Sequence, residues 1–202
     1  MAKPQVTLRG DRVRLRPLQE ADLPLRVRWY NDAEVRKTLT VTERFELEKT
    51  RRWFRSVCDD ARRVDFLVES AAGEPIGVAG LLHIEPVHAT AECFCVIGEK
   101  AFWGGGIGTE IHSVLLTWAF EGLGLEKIWA IIRTNNPAIY KIVQKLGFQI
   151  EGTLRKEIRL EGVRQDVYRV GLLREEFTPR HRHFEVAVHK AGAQSADGGV
   201  NR

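Results

Sequence analysis

Cysteine is scarce. The 202 residues contain three, Cys58, Cys93 and Cys95, too few for the disulfide framework that staples small secreted domains. Cys93 and Cys95 are two apart in a strand-like run, so they share a face, and no histidine stands near them at metal-ligand spacing. They read as buried, reduced thiols of a cytoplasmic protein. Long apolar runs are also missing: none approaches the roughly 18 residues that a membrane span needs. The opening MAKPQVTLRGDRVRLR carries charges where a secretory signal has its apolar region. A soluble protein without a membrane partner is expected. There are no internal repeats.

No sign of charge dominates the body of the chain. The net charge is +4, but residues 1–16 alone carry +4 and residues 179–202 carry +2, which leaves about −2 between them. A nucleic-acid binder concentrates its basic excess on the folded domain. Here the excess lies at the ends, so no nucleic-acid partner is expected. What is present is ordinary globular composition, 44% hydrophobic and 29% charged, enough for one sizeable core.

Periodicity predicts one mixed α/β domain over residues 1–178 and a basic, disordered tail over residues 179–202. Alternation predicts strands at Arg12–Leu18, Val64–Glu69, Pro75–Ile84 and Thr90–Ile97. Helices are predicted over Ala21–Tyr30 and Thr42–Cys58, the second with Thr42 as cap. A helix over Gly106–Glu121 follows a glycine-rich loop. Lys127–Arg133 (KIWAIIR) reads as a strand buried on both faces. Asn136 then caps a helix with Pro137 at its first position and Gly147 as its stop. Thr153–Leu160 and Val163–Leu173 flank Glu161-Gly162 as a hairpin. His181, His183 and His189 lie in the tail without acidic or cysteine partners at metal spacing, and no metal is expected.

The most informative segment is Phe102-Trp103-Gly104-Gly105-Gly106-Ile107-Gly108-Thr109. It follows a strand and opens a helix, so amides unobstructed by a Cβ present themselves to phosphate oxygens; a plain flexible turn is the alternative. It is not a P-loop, because no Gly-Lys-Ser/Thr closes it. The dinucleotide fingerprint fails too: Gly104-x-Gly106 is followed by Thr109, Gly106-x-Gly108 by Ile111, and the loop comes after about four strands rather than one.

Three ordered features, WYND at Trp29–Asp32, the WGGGIGTE loop, and NNPAIYKIVQKLGF running into Glu151-Gly152, resemble the GNAT superfamily of acyl-CoA-dependent N-acetyltransferases. Within it, they most resemble the Rim-type branch of ribosomal-protein and amino-sugar acetyltransferases. The resemblance spans about Leu8 to Phe177. It implies an α/β (α+β) domain: a mixed, mostly antiparallel sheet with splayed central strands and helices on both faces. It also implies acetyl-CoA as cosubstrate. By resemblance, the amides of Gly104, Gly105, Gly106, Ile107, Gly108 and Thr109 hold the CoA pyrophosphate, with Trp103 in the family's Gln/Arg place. Val96 and Ile97 lie along the pantetheine, and Asn136 meets the cofactor. Lys141 either approaches a CoA phosphate or is a solvated helix lysine.

Acetyl transfer from a thioester requires that the ammonium lose a proton, that the oxyanion find donors and that the thiolate leave. Glu92, a carboxylate in the apolar run TAECFCVIG, is the candidate base, working directly or through water; its alternative is a surface ion pair. By the same resemblance, amides near Val96 and Ile97 are the candidate oxyanion donors. The family's acid positions hold Val143 and Ile139, neither of which gives a proton. Tyr140, one residue along, is a substitute acid or else packs or faces solvent, and the thiolate's own acidity is the alternative. Glu157 is a second candidate base. Trp29, Asn31, Asp32, Trp53 and Phe54 lie in the helices that wall the family's acceptor site, though aromatic residues at this spacing also serve as core and a polar pair such as Asn31-Asp32 closing a helix also serves as a cap or turn.

Residues 20–60 hold nine acidic and nine basic groups, without the acidic excess that a polyamine or aminoglycoside site favours. The expectation is therefore direct acetyl transfer, without a covalent enzyme intermediate, to a peptide or protein N-terminus or an amino-sugar nucleotide. A polyamine or aminoglycoside acceptor is the alternative. An acyl-CoA-binding module without turnover and a nucleic-acid binder using Arg12, Arg14 and Arg16 are the competing classes. A strand of the final hairpin is free to pair between subunits, which leaves a homodimer open.

Overall fold

The computed structural model describes residues 5–41 and 43–189. The described residues form a nine-stranded sheet with helices on both faces, as expected. Its strands are β1 (Val6–Arg9), β2 (Val13–Pro17), β3 (Val64–Ser70), β4 (Pro75–Glu85), β5 (Thr90–Ile97), β6 (Lys127–Arg133), β7 (Gln149–Leu160), β8 (Val163–Leu173) and β9 (Glu185–Val188). The spatial order is β7-β8-β6-β5-β4-β3-β2-β1-β9. Every neighbouring pair is antiparallel except β5 and β6.

That exception makes the site. β5 and β6 pair only at Thr90↔Lys127, Ala91↔Ile128 and Glu92↔Trp129. Beyond Glu92 the strands part, and the backbone groups of β5 that face β6 have no strand partner there. A buried gap of this kind needs a ligand or water to satisfy it.

Alternation along the strands builds two cores. Phe66, Val68, Leu81 and Cys93 face the side covered by α4 (Ile107–Thr117) and α5 (Pro137–Leu146). Leu67, Val78, Phe94 and Val96 face the side covered by α1 (Leu23–Asn31), α2 (Ala33–Arg36) and α3 (Leu47–Val57), where Trp29 and Tyr30 are buried. Cys93 and Cys95 share the first core, and burial pushes both thiols up to about 12.

Several boundaries differ from the sequence reading. The helix expected from residue 42 starts at Leu47 with Glu46 as its cap; Thr42 itself lies outside the described residues. Asn31 explains the delay: its amide donates to the Phe45 carbonyl at 2.8 Å, and its oxygen accepts from the Phe45 N–H at 2.9 Å, holding residue 45 in a loop. Strand β6 is buried on alternate residues only, because Trp129 lies under His83, stacked at 6.1 Å, and Ile131 and Arg133 line a cleft.

The expected structureless tail is corrected over residues 179–189. There β9 pairs with β1 along Val6↔Val188 to Arg9↔Glu185. The tail histidines are engaged as well: His181 Nδ1 lies 2.8 Å from Ser113 Oγ, His189 Nε2 lies 2.8 Å from Thr7 Oγ1, and His183 pairs with Glu185. The rest of the expected tail lies outside the described residues. Among the described residues, no helix is long and apolar enough to cross a membrane, and no group of three or more His, Cys, Asp or Glu is placed to hold a metal ion.

Candidate active site

The glycine loop takes a shape that only its composition allows. Gly104, Gly105 and Gly106 have φ of +81°, +54° and +84°, a left-handed run that costs any L side chain roughly 1–2 kcal/mol per residue. A Cβ at Gly104 or Gly105 would meet nothing within 4 Å, so the chain here borders open space rather than a packed wall. Gly106 is the cap residue of α4, and the first amides of that helix have no partner within it. The loop is braced from the turn before β2: Arg12 donates to the Gly105 carbonyl at 3.0 Å and to Glu110 Oε2 at 2.7 Å, while Glu110 Oε1 accepts from the Arg12 amide at 2.6 Å. Trp103 closes the near side by donating its Nε1–H to the Ile97 carbonyl at 2.9 Å.

This loop opens onto a cleft of about 800 Å³ that runs through the fork between β5 and β6. The cleft brings together Glu92, Val96, Ile97, Trp103, Gly104, Gly105, Gly106, Gly108, Thr109, Asn136 and Lys141. Ile107 is the exception within the loop, since its side chain packs into the core beneath. Asn136 caps α5 at the cleft rim, accepting from the Ile139 amide at 3.3 Å. Lys141 and Lys145 line the same rim and make no ion pair among the described residues. Open amides, absent Cβ atoms and two uncommitted lysines suit the phosphates of acetyl-CoA.

Glu92 stands where the fork begins, the last residue of β5 to pair with β6. Its side chain is 17% exposed, and its Oε2 lies 2.9 Å from His83 Nδ1. Strand alternation puts Glu92 on the same side as Phe94 and Val96, facing α1 and α3. That side of the cleft is lined by Arg26, Tyr30, Phe45 and Arg63. The glycine loop, the carboxylate and an arginine–aromatic chamber thus line one cleft.

Other expected residues are placed elsewhere. Tyr140 is 38% exposed and borders a separate groove with Asn135, Ile150 and Tyr168. The helix turn that directs Ile139 and Ile142 into the cleft rotates Tyr140 out of it, so no hydroxyl of α5 lines the cleft. Glu157 is exposed on β7, beside a register shift between Leu154 and Ile158, and does not line the cleft.

The five residues expected to wall the acceptor site make structural contacts instead. Trp29 is 1% exposed and donates to Glu99 at 2.7 Å; Asn31 is occupied with Phe45. Asp32 caps α2 and binds Lys100 at 2.8 Å, and that ammonium holds its carboxyl below the usual range. Trp53 does not line the cleft; its ring lies against the guanidinium groups of Arg26 at 4.1 Å and Arg63 at 4.8 Å, and Phe54 packs against the same core.

Arg26 and Arg63 were missed by the sequence reading. In LPLRVRWYN an arginine looks like a solvated helix face. The available signal was the four-residue step from Arg26 to Tyr30, which sets one side chain over the other on a helix. His112 was missed as well. It is buried in α4, lines the cleft and donates from Nδ1 to the Gly108 carbonyl at 2.8 Å; burial lowers its pKa.

A fold and cleft of this kind define an acyl-CoA-dependent acetyltransferase. The acetyltransferase (GNAT) domain family model matches residues 12–149, more than half of the chain, and the chain belongs to that family. It is similar to the spermidine N(1)-acetyltransferase of Escherichia coli strain K12, 29% identical over 184 residues that cover 90% of this chain and 97% of the relative. It is also similar to an uncharacterized N-acetyltransferase, p20, of Bacillus licheniformis, 28% identical over 85% of this chain and 98% of the relative. Among solved structures, the Vibrio cholerae spermidine N-acetyltransferase in complex with CoA and spermine superposes with a TM-score of 0.74 at 26% identity, covering 85% of this chain and 97% of the other. The chain is an acetyltransferase that uses acetyl-CoA and an amine acceptor.

Proposed function

We propose that acetyl passes directly from acetyl-CoA to a small primary amine in a ternary complex, with Glu92 taking the amine's proton directly or through one water. The observation that carries this reading is the fork. Glu92 stands at its apex, in the same cleft as the phosphate cradle and the chamber of Arg26, Tyr30, Phe45 and Arg63. Bound acetyl-CoA supplies an electrophilic thioester carbonyl. The protein's part is to align the amine beside it, a positioning effect that removes much of the entropic barrier, and to accept the proton that the nitrogen sheds as the C–N bond forms and the C–S bond breaks. Unpaired amides of β5 near Val96 and Ile97 are the donors for the developing oxyanion. His83, 2.9 Å from Glu92, orients the carboxylate. The thiolate leaves without a side-chain acid, in keeping with Val143 and Ile139 on α5.

The Rim-type branch and its favoured acceptors, a peptide N-terminus or an amino-sugar nucleotide, belong to this proposal. The relatives' names support a polyamine acceptor as the second reading. Against it stands the charge of the cleft: Glu92 is its one carboxylate among the described residues, while Arg26, Arg63, Arg133, Lys141 and Lys145 line it too. Glu92→Gln tests the mechanism. Removal of a general base typically lowers kcat by about 10²–10⁴-fold, so a drop of that size with unchanged acetyl-CoA affinity is expected. An unchanged kcat overturns the assignment. Failure of any amine to release CoA thiol, in protein that binds acetyl-CoA, would support a binding module instead.

A further inference from the structure

The arginine–aromatic chamber contains a buried cation without an ion pair among the described residues. Arg26 is 9% exposed, and its guanidinium carbon lies 4.3 Å from the Tyr30 ring centroid, 4.1 Å from that of Trp53 and 5.2 Å from that of Phe45. Its neighbour Arg63 also lies over Trp53, but it is neutralised: Nε and Nη2 donate to the two oxygens of Asp65 at 2.7 and 2.8 Å. Asp65 is thereby occupied. Arg26 has no ion pair among the described residues: the carboxylate whose charge acts on it is Asp65, which Arg63 already holds, and the Tyr30 ring lies against its guanidinium.

A guanidinium has five N–H donors in a fixed fork, so most of those on Arg26 are uncommitted. They are not sealed in protein. The one fully buried side-chain nitrogen or oxygen without a partner among the described residues is Arg133 Nε, so the Arg26 nitrogens are not sealed, and Arg26 lines the cleft. The aromatic box supplies a partial substitute for solvation through cation–π contact, but it cannot satisfy in-plane donors. Burial accordingly lowers the Arg26 pKa. A rigid, desolvated fork with free donors is the usual partner of a carboxylate or phosphate.

We propose that Arg26 binds an anionic oxygen group, a carboxylate or a phosphate, on the acceptor, so that the substrate is an amine that also carries an acid. This rests on the acetyl-transfer reading of the cleft. The chamber then has two complementary poles: Glu92 receives the amine and Arg26 holds the acid. A polyamine offers a second ammonium where the protein already has a cation. Like charges facing each other in a desolvated chamber select against such an acceptor.

The test uses the full chain saturated with CoA, so that the phosphate cradle is already occupied. Acetate and inorganic phosphate are titrated by calorimetry into wild type, Arg26→Met and Arg26→Lys. In parallel, CoA release from acetyl-CoA is followed with the L-amino acids, glucosamine 6-phosphate and spermidine. Wild type is expected to bind at least one of the two anions, and which one binds separates a carboxylate acceptor from a phosphorylated one.

Arg26→Met should weaken that binding about 10- to 100-fold, the range for loss of a charge-assisted hydrogen bond, with Arg26→Lys in between. The same loss should appear in KM for the amine acid, with kcat changed far less. Should Arg26→Met fail to fold, inhibition of wild type by the anion, competitive with the amine, carries the test. The proposal is overturned if neither anion binds CoA-saturated wild type, if Arg26→Met binds as wild type does, or if spermidine is the best acceptor. Acetyl-CoA binding with spermidine turnover sinks this inference alone; absence of acetyl-CoA binding sinks the acetyl-transfer reading beneath it.

Discussion

Gly106→Ala probes whether the loop's strain and its cofactor cradle are one feature. The φ of Gly106 is +84°, and a Cβ there would meet only Arg12 Nη2, at 3.6 Å, an ordinary contact. The perturbation is therefore almost purely conformational, about 1–2 kcal/mol for an L residue in the left-handed region. If the loop holds its shape, that cost appears as global stability, a Tm lower by about 2–4 °C per kcal/mol for a chain of this size. If the loop relaxes, the amides turn from the cleft and acetyl-CoA binding weakens instead, about tenfold for each 1.4 kcal/mol. Gly73→Ala is the control: its φ is +83° in the β3–β4 turn, with nothing within 4 Å of the new Cβ. It should lower Tm by a similar amount and leave acetyl-CoA affinity alone. Calorimetric Kd and thermal unfolding of both variants decide the matter. A Gly106→Ala protein with wild-type Tm and wild-type Kd refutes the reasoning, and so does a Gly73→Ala protein that loses affinity.

Two further outcomes follow from packing and titration. A Cβ on Gly98 would lie 2.0 Å from Trp29 Cγ, inside the core beneath α1, so Gly98→Ala should destabilise by about 3 kcal/mol, the upper part of the range for overpacking; urea midpoints measure it, and a wild-type midpoint contradicts it. Burial lowers the pKa of both His112 and His181 in the folded state, whereas in the unfolded chain they titrate near 6.5. Below about 6.5 the unfolded state thus binds protons that the native state does not, and stability falls as pH falls. His112→Gln should reduce the loss of unfolding free energy between pH 7.5 and 5.5, and an unaltered slope counts against a neutral buried His112.

The parts of the site that were legible in sequence carry their own punctuation. α5 begins and ends where Asn136, Pro137 and Gly147 put it. β5 and β6 have the bounds that their apolar patterns give, and the glycine run forms the loop before α4. What was hidden depends on partners far away in the chain. β9 is a four-residue strand that makes sense only when paired with β1 across some 180 residues. Trp29, Asp32 and Trp53 look the same in sequence whether they face a ligand or Glu99, Lys100 and two arginines. The chamber at Arg26 forms only when α1, the loop at Phe45 and β3 converge on it.

Thermal unfolding of the wild-type protein with and without acetyl-CoA, with NADH and ATP as controls, tests the cradle and the fork together. A ligand present at 100 times its Kd stabilises the fold by about 2.7 kcal/mol, which for a chain of this size raises Tm by roughly 5–10 °C. The account predicts a shift of that order with acetyl-CoA and none with NADH or ATP. A folded sample that shows no shift with acetyl-CoA, or an equal shift with either control, contradicts it.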